Sequence, residues 1–220
     1  MKLKQKFNDD DLQRIKVAVK KAEEKISGEI VPVIVERSDL YPIASYRAAL
    51  SCAVLAFIFM IVLDRFLIRD ASQTLYYDPL FIFIVVIVAG ATGAAISELS
   101  SPVKRFFLSR KLLDDSCRES AEAAFLEEEI FNTRHRTGIM IFISFFEHEV
   151  IVMADRGISK VVEQKEWDHV VTQLVSQIRA GRVVDGLEMA IARCGQILLE
   201  KGFKKTADDI NELRDDLRIN

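Results

Sequence analysis

Apolar positions near the start of the chain recur at helical spacing. Leu12, Ile15, Val19, Ala22 and Ile26 lie three and four residues apart and form one buried stripe. Asn8 or Asp9 can cap a helix that begins near Asp10. The acidic Asp9–Asp11 then sit in its first turn, where the helix dipole favours negative charge, and Gly28 stops it. The run "EIVPVIVE", Glu29 to Glu36, predicts a strand directly afterwards. Pro32 removes one ladder donor, which favours an edge position or a bulge.

The pattern then changes. "AALSCAVLAFIFMIVL", Ala48 to Leu63, holds no charge, and neither does "PLFIFIVVIVAGATGAAIS", Pro79 to Ser97. At ~1.5 Å rise per residue the second run matches a hydrocarbon core of roughly 30 Å. The first reaches that length by extending through "DRFLI" to Ile68, with Asp64 and Arg65 snorkelling to the interface. Tyr46 at one end, and Tyr76 and Tyr77 at the other, suit aromatic interface belts. The alternative is two buried helices of a soluble core, which would leave little remaining chain to cover them. The expectation is a two-helix transmembrane hairpin over 48–97. Its loop, 64–78, is too short to be a domain, so both ends return to one side. Ala89/Gly93 and Gly90/Ala94 place small residues four apart, permitting close contact with the first span and leaving a homo-oligomer possible. Neither span has an interior ionisable residue, which argues against a transporter.

The loop offers Arg65 and Arg69, whereas the flanks carry Arg37, Arg47, Lys104, Arg105, Arg110 and Lys111. The positive-inside rule places both termini in the cytoplasm and the protein in the cytoplasmic (inner) membrane. After the hairpin, a long helix is expected from about Pro102 to Phe131. Its opening "VKRFFLSRK" reads either as a lipid-surface segment or as an ordinary helix start. Ile139–Phe145 and Val150–Ala154 flank a short polar turn as strands. Both are close to continuously apolar, as when helices cover both faces. Helices follow at about 165–180 and 185–201, stopped by Gly181 and Gly202. The fold class is α/β: a small sheet of at least three strands sandwiched by helices and interrupted by the hairpin. Residues 1–47 and 98–203 form two parts of one cytoplasmic domain. Residues 204–220 form a charged tail, a solvated helix or frayed end with Ile210, Leu213 and Leu217 in register.

Composition adds limits. The 220 residues carry a net charge of −3, with 29% charged and 50% apolar residues, two values reconciled only by the clustering of the apolar positions. No basic excess points to nucleic acid. The N-terminal "MKLKQKFNDDDLQRIK" has no apolar stretch behind its lysines and does not read as a secretory signal peptide. Cys52, Cys117 and Cys194 are odd in number and far apart, so a reducing compartment is the simpler reading.

Chemistry is sparse. No HExxH, GxSxG or P-loop occurs, and no cysteine–histidine spacing suggests a nucleophile. Asp155 stands where a strand ends and has the oxygen donors that calcium or magnesium prefers. Arg156 can meet a phosphate bidentately, and Gly157 permits a sharp turn. The same tripeptide also reads as a hydrogen-bonded turn with a solvated arginine. Asp9 joins Asp155 as a metal ligand only if the two ends meet. Arg136, before a strand, can face a phosphate, a lipid headgroup or a surface carboxylate. Glu147-His148-Glu149 suits a polar hairpin turn better than a metal, and His135 and His169 read as surface residues.

"AEEKISGEIVPVIVERS", "TRHRTGIMIFISFFEHEVIVMADRGI" and "RAGRVVDGLEMAI", in that order, resemble the TPM-domain family. That family includes thylakoid-lumen proteins concerned with photosystem II repair and bacterial proteins labelled as phosphatases. The pieces are Ser27-Gly28-Glu29, Arg136-Thr137-Gly138 and Asp155-Arg156-Gly157, with Gly181 and Gly186 between the last helices. The resemblance implies a compact sheet with helices on both faces, a divalent-metal site with calcium among its ions, and acid phosphatase activity in some members. Many relatives carry a signal peptide, whereas this chain has an internal hairpin. The leading expectation is a membrane-tethered accessory factor for the assembly, maintenance or turnover of membrane-protein complexes. Its partners would be the bilayer and another membrane protein. The alternatives are a metal-dependent phosphomonoesterase at Asp155 and a metal-regulated binding module.

Overall fold

In the computed structural model, which describes residues 6–67, 78–205 and 211–219, the sheet has four strands in the order β3-β2-β1-β4. β1 (Glu29–Val35) runs parallel to β2 (Gly138–Ser144), with Glu29 opposite Gly138 and Val35 opposite Ser144. β3 (Glu149–Ala154) returns antiparallel beside β2, and β4 (Arg218–Ile219) lies parallel to β1 at Val33 and Ile34.

Every residue of β1 and β2 is buried, and their alternating side chains build two cores. On one face Ile30, Ile34, Ile139, Ile141 and Ile143 meet α1 (Asp9–Glu23), α7 (Gln164–Arg179) and α8 (Val183–Glu200) through Ile15, Val19, Trp167, Leu174, Leu187 and Leu198. On the other, Val31, Val33, Met140 and Phe142 meet Cys117, Ala121 and Ala124 of α5 (Arg110–Glu127). Helices therefore cover both faces. β3 departs from the expected full cover: as an edge strand it buries only Val150 and Val152, and its other residues are half-buried. α1 begins as its sequence indicates, with a capping box between Asn8 and Asp11.

Pro32 is not on an edge strand, because β4 pairs with β1. The physical reason for its tolerance is local. Glu29 donates to Thr137 on the β2 side, so the alternate positions 30, 32 and 34 direct their amide side toward β4. β4 covers only Val33 and Ile34, and the Ile30 amide is taken by the Glu23 carboxylate at 2.8 Å. Pro32 thus stands at the gap in the ladder, where no donor is needed.

In its described residues, 204, 205 and 211–219, the tail is neither a solvated helix nor a frayed end. Its last described residues form β4, Leu213 and Leu217 each pack against a core, and Arg218 is buried with its Nε 2.7 Å from Glu128. Ile210 lies outside the described residues. The helix expected over 102–131 is also two: α4 (Ser101–Phe106) ends at Phe107, and Ser109 receives the amide of Leu112 to start α5.

The chain divides into two compact units, residues 1–39 with 114–220, and residues 40–113. The second contains α2 (Pro42–Val62), a π-helical turn (Leu63–Leu67), α3 (Pro79–Leu99) and α4. Its boundaries fall outside 48–97 because α2 starts at Pro42 and α4 belongs with the hairpin. α2 and α3 each have 21 residues, so each is about 31 Å long at ~1.5 Å per residue. Their mean hydropathies reach 1.9 and 2.5, with only 6% and 17% of those windows buried, so both are long and apolar enough to cross a membrane. Gly93 makes their contact close: a Cβ there would lie 2.6 Å from Cys52 Sγ and 2.8 Å from the Ala48 carbonyl. Gly90, Gly93 and Ser97 are the buried positions of α3, so the small-residue face is occupied by α2. Arg65 is exposed; Ile68, Arg69, Tyr76 and Tyr77 lie outside the described residues, as does the side chain of Asp64.

Candidate functional site

Three of the sequence pieces meet at one corner, the amino ends of β1 and β2. Glu29 donates to the Thr137 carbonyl at 3.2 Å, and a Cβ on Gly28 would sit 3.0 Å from that same oxygen. The Thr137 amide is held by Thr133 Oγ1, and a Cβ on Gly138 would lie 2.1 Å from the Ile130 carbonyl. Asp155 donates its amide to the Gly138 carbonyl at 2.8 Å. Arg136 has a left-handed backbone, φ 57°, and its carbonyl accepts from Gly157 at 2.9 Å. A Cβ on Gly157 would come within 2.5 Å of that carbonyl, so only glycine fits.

Here Asp155 is 5% exposed and held by three donors. Arg136 Nε lies 2.7 Å from Oδ2, Arg136 Nη2 lies 3.0 Å from Oδ1, and the Arg156 amide lies 2.6 Å from Oδ1. The bidentate bond to Asp155 raises the Arg136 pKa further, and the guanidinium also sits 5.5 Å over the Phe131 ring. Asp155 caps the four-residue α6 (Arg156–Ser159), while the Arg156 side chain is exposed. Arg136 and Asp155 therefore meet as an ion pair. Asp9 does not join them. Lys6, just before α1, stacks 5.0 Å over Phe145, beyond the carboxyl end of β2. Asp155 is at the amino end, a strand of seven residues or ~20 Å away.

Because β3 is antiparallel, its exit lies at the amino ends of the parallel pair. The carboxyl ends, where α/β folds place ligands, hold a different constellation. Glu147 is 0% exposed. It accepts the Ser38 amide at 2.9 Å and the Ser144 hydroxyl, while Ser38 Oγ donates to Ser144 Oγ at 3.3 Å. Cys117 faces the same cluster, and burial pushes its thiol up to about 12. Sequence reading missed this cluster because "FEHE" looks like a solvated turn; His148, with φ 57°, does turn the chain there. His135 and His169 are exposed, as expected.

A second unanticipated feature lies where α1 meets β1. Glu23 and Glu29 are 6% and 7% exposed. One oxygen of Glu23 accepts from Ile30, and one of Glu29 accepts the Glu212 amide at 3.1 Å. The second oxygen of each has no hydrogen-bond partner among the described residues. Burial pushes Glu23 up to about 8, with Glu29 and Asp215 adding to the shift and Lys205 opposing it; burial also raises Glu29. Glu29 thereby holds the C-terminal segment, whose Glu212 carboxylate receives the Arg134 amide at 2.9 Å.

Of the remaining sequence glycines, one serves a turn and the other close packing. Gly181 carries φ 77° between α7 and α8, and a Cβ on Gly186 would be 2.8 Å from Gln177 Cβ. Among the described residues, no group of three His, Cys, Asp or Glu side chains is placed to hold a metal ion. A groove of about 490 Å³ runs between α1 and α8, lined by Val17, Lys21, Lys25, Ala192 and Leu199 among others.

No family model matches the chain, and no curated protein matches it. Among solved structures it is similar to the NMR structure of the BA42 protein from the psychrophilic bacterium Bizionia argentinensis sp. nov.. The two are 17% identical, and the match covers 97% of this chain and 95% of that one with a TM-score of 0.59. At that identity the likeness shows the shared fold: a mixed α/β arrangement around a small sheet.

Proposed function

We propose that this chain is a TPM-like α/β domain tethered to the cytoplasmic membrane by a two-span hairpin. There it serves as an accessory factor in the assembly, maintenance or turnover of membrane-protein complexes. The observation carrying this reading is the exposed surface of α2 and α3. Leu55, Phe59, Leu80 and Phe83 are each more than 60% exposed on helices that water would not tolerate in that state. The soluble unit is closed by strands from both sides of the hairpin, since β1 precedes it and β2 follows it. A tether of this kind works through effective concentration, so that contacts too weak in solution succeed at the surface. The rival reading, a phosphomonoesterase with calcium or magnesium at Asp155, requires Arg136 to release a carboxylate it holds through two bonds.

Two measurements test the proposal. The full chain should stay with vesicles in alkaline carbonate, and a reporter near Ser72 should be accessible from the compartment opposite a C-terminal reporter. Excising residues 40–113 with a short linker should abolish rescue of a deletion strain. A soluble, folded product that still rescued would remove the tethering role.

A further inference from the structure

We propose that Glu23 and Glu29 are a proton-controlled latch for the carboxyl-terminal strap, residues 211–219: protonated, they seat it along β1, and ionised, they release it. The latch lies wholly within the unit of residues 1–39 and 114–220 and does not depend on the tether. β4 pairs with β1 only at Val33 and Ile34, with Arg218 opposite Val33. Carried back along that parallel register, Asp215 stands about level with Ile30, whose amide the Glu23 carboxyl group takes in place of a strand partner. Glu29, at the start of β1, holds the strap through the Glu212 amide, and the Leu213 amide adds to that hold. Both carboxyl groups are more than nine-tenths buried, and the second oxygen of each meets no hydrogen-bond partner among the described residues.

Such surroundings suit a neutral acid and penalise a carboxylate. Glu23 is faced by Glu29, by Asp215 of the strap and by Lys205 after α8, while Glu29 is faced by Glu212 and Asp215. Lys205 is the cation among these, and its Nζ donates to the Glu23 backbone carbonyl at 3.2 Å. The other charges of the strap are engaged elsewhere. Asp216 meets Lys16 at 2.8 Å and also feels the exposed Arg214, Arg218 meets Glu128 at 2.7 Å, and the Glu212 carboxylate receives the Arg134 amide. Ionising Glu23 therefore adds a buried negative charge beside Glu29 and Asp215. The strap is the part that yields, because its ladder spans two residues, whereas β1 and β2 pair over seven and are buried throughout. Both acids bind a proton more tightly in the seated form, so seating weakens as pH rises toward about 8. Release uncovers the outer edge of β1 at Val33 and Ile34.

Hydrogen exchange of the full chain in detergent micelles, read by mass spectrometry at ~pH 6 and ~pH 8, tests the latch. Labelling times are scaled for intrinsic exchange, and strap peptides are compared with β2 peptides. Strap protection should fall on the order of ten- to a hundredfold, since one linked proton changes an equilibrium by up to about tenfold per pH unit. Protection of β2 should hold. Glu23→Gln should remove most of the fall, and Glu23→Gln combined with Glu29→Gln all of it. A strap unprotected at ~pH 6, a strap equally protected at both pH values, or a fall shared by β2 overturns the latch from the parent alone. A fall undiminished in the double variant overturns it as well.

Discussion

Replacing Glu23 by glutamine isolates one buried carboxyl whose effect on stability changes with pH. The substitution keeps the shape and the oxygen that receives the Ile30 amide, and removes the ability to ionise. Burial raises the folded-state pKa from 4.5 to about 8. At about 1.4 kcal/mol per tenfold change in proton affinity, this corresponds to a ceiling of about 5 kcal/mol. The sign follows from proton binding. Between those two values the folded chain holds a proton that the unfolded chain has released. The contribution is therefore complete below about pH 4.5 and lost as pH rises through about 8. Glu29 and Asp215 face the group with like charge, and Lys205 opposes them from the segment after α8. Trp167, 3% exposed in the core of the same unit, reports unfolding in urea. The parent should lose several kcal/mol between pH 5 and pH 9, whereas Glu23→Gln should show a much shallower loss and exceed the parent at pH 9. Glu29, also raised by burial, leaves some residual slope. Parallel curves for the two proteins across this range would refute the reasoning, because they would mean that Glu23 ionises at an ordinary pH in a hydrated site.

Asp155→Asn should destabilise the unit of residues 1–39 and 114–220 by about 1–3 kcal/mol, since a buried acceptor of three donors is weakened, and Trp167 urea melts measure it. In the same preparation, hydrolysis of p-nitrophenyl phosphate with calcium or magnesium should match background in parent and variant; metal-dependent turnover lost with Asp155 would instead favour the phosphomonoesterase. Glu147→Ala should cost about 2–4 kcal/mol by the same assay, because the Ser38 amide and the Ser144 hydroxyl lose their acceptor inside a closed cluster. Gly93→Leu should separate α2 from α3, since even a methyl group would press within 2.6 Å of Cys52 Sγ. A disulfide designed between the two helices would then form far more slowly than in the parent.

Which elements exist was largely legible from local pattern. The stripe at Leu12, Ile15 and Val19 expresses the helical period, and the two uncharged runs and the short, nearly continuous apolar strands are each visible as local blocks of sequence. Glycines at strand entrances were also visible, and the Ser27-Gly28-Glu29, Arg136-Thr137-Gly138 and Asp155-Arg156-Gly157 pieces do converge. What local pattern does not encode is which distant segments become neighbours. The polar tail looked solvent-bound because two strand residues are too few to leave a period, and only the open side of β1 makes them a strand. Pro32 read as an edge signal because its missing donor is local, while the partner that would have needed it is not. The environment of Asp155 depended on β3 running antiparallel, which turned its exit toward the amino ends of the parallel pair. Glu23 and Glu147 likewise look like ordinary surface acids in sequence. Their burial, and the energy stored in it, arise only when the helix, the strands and the returning tail close around them.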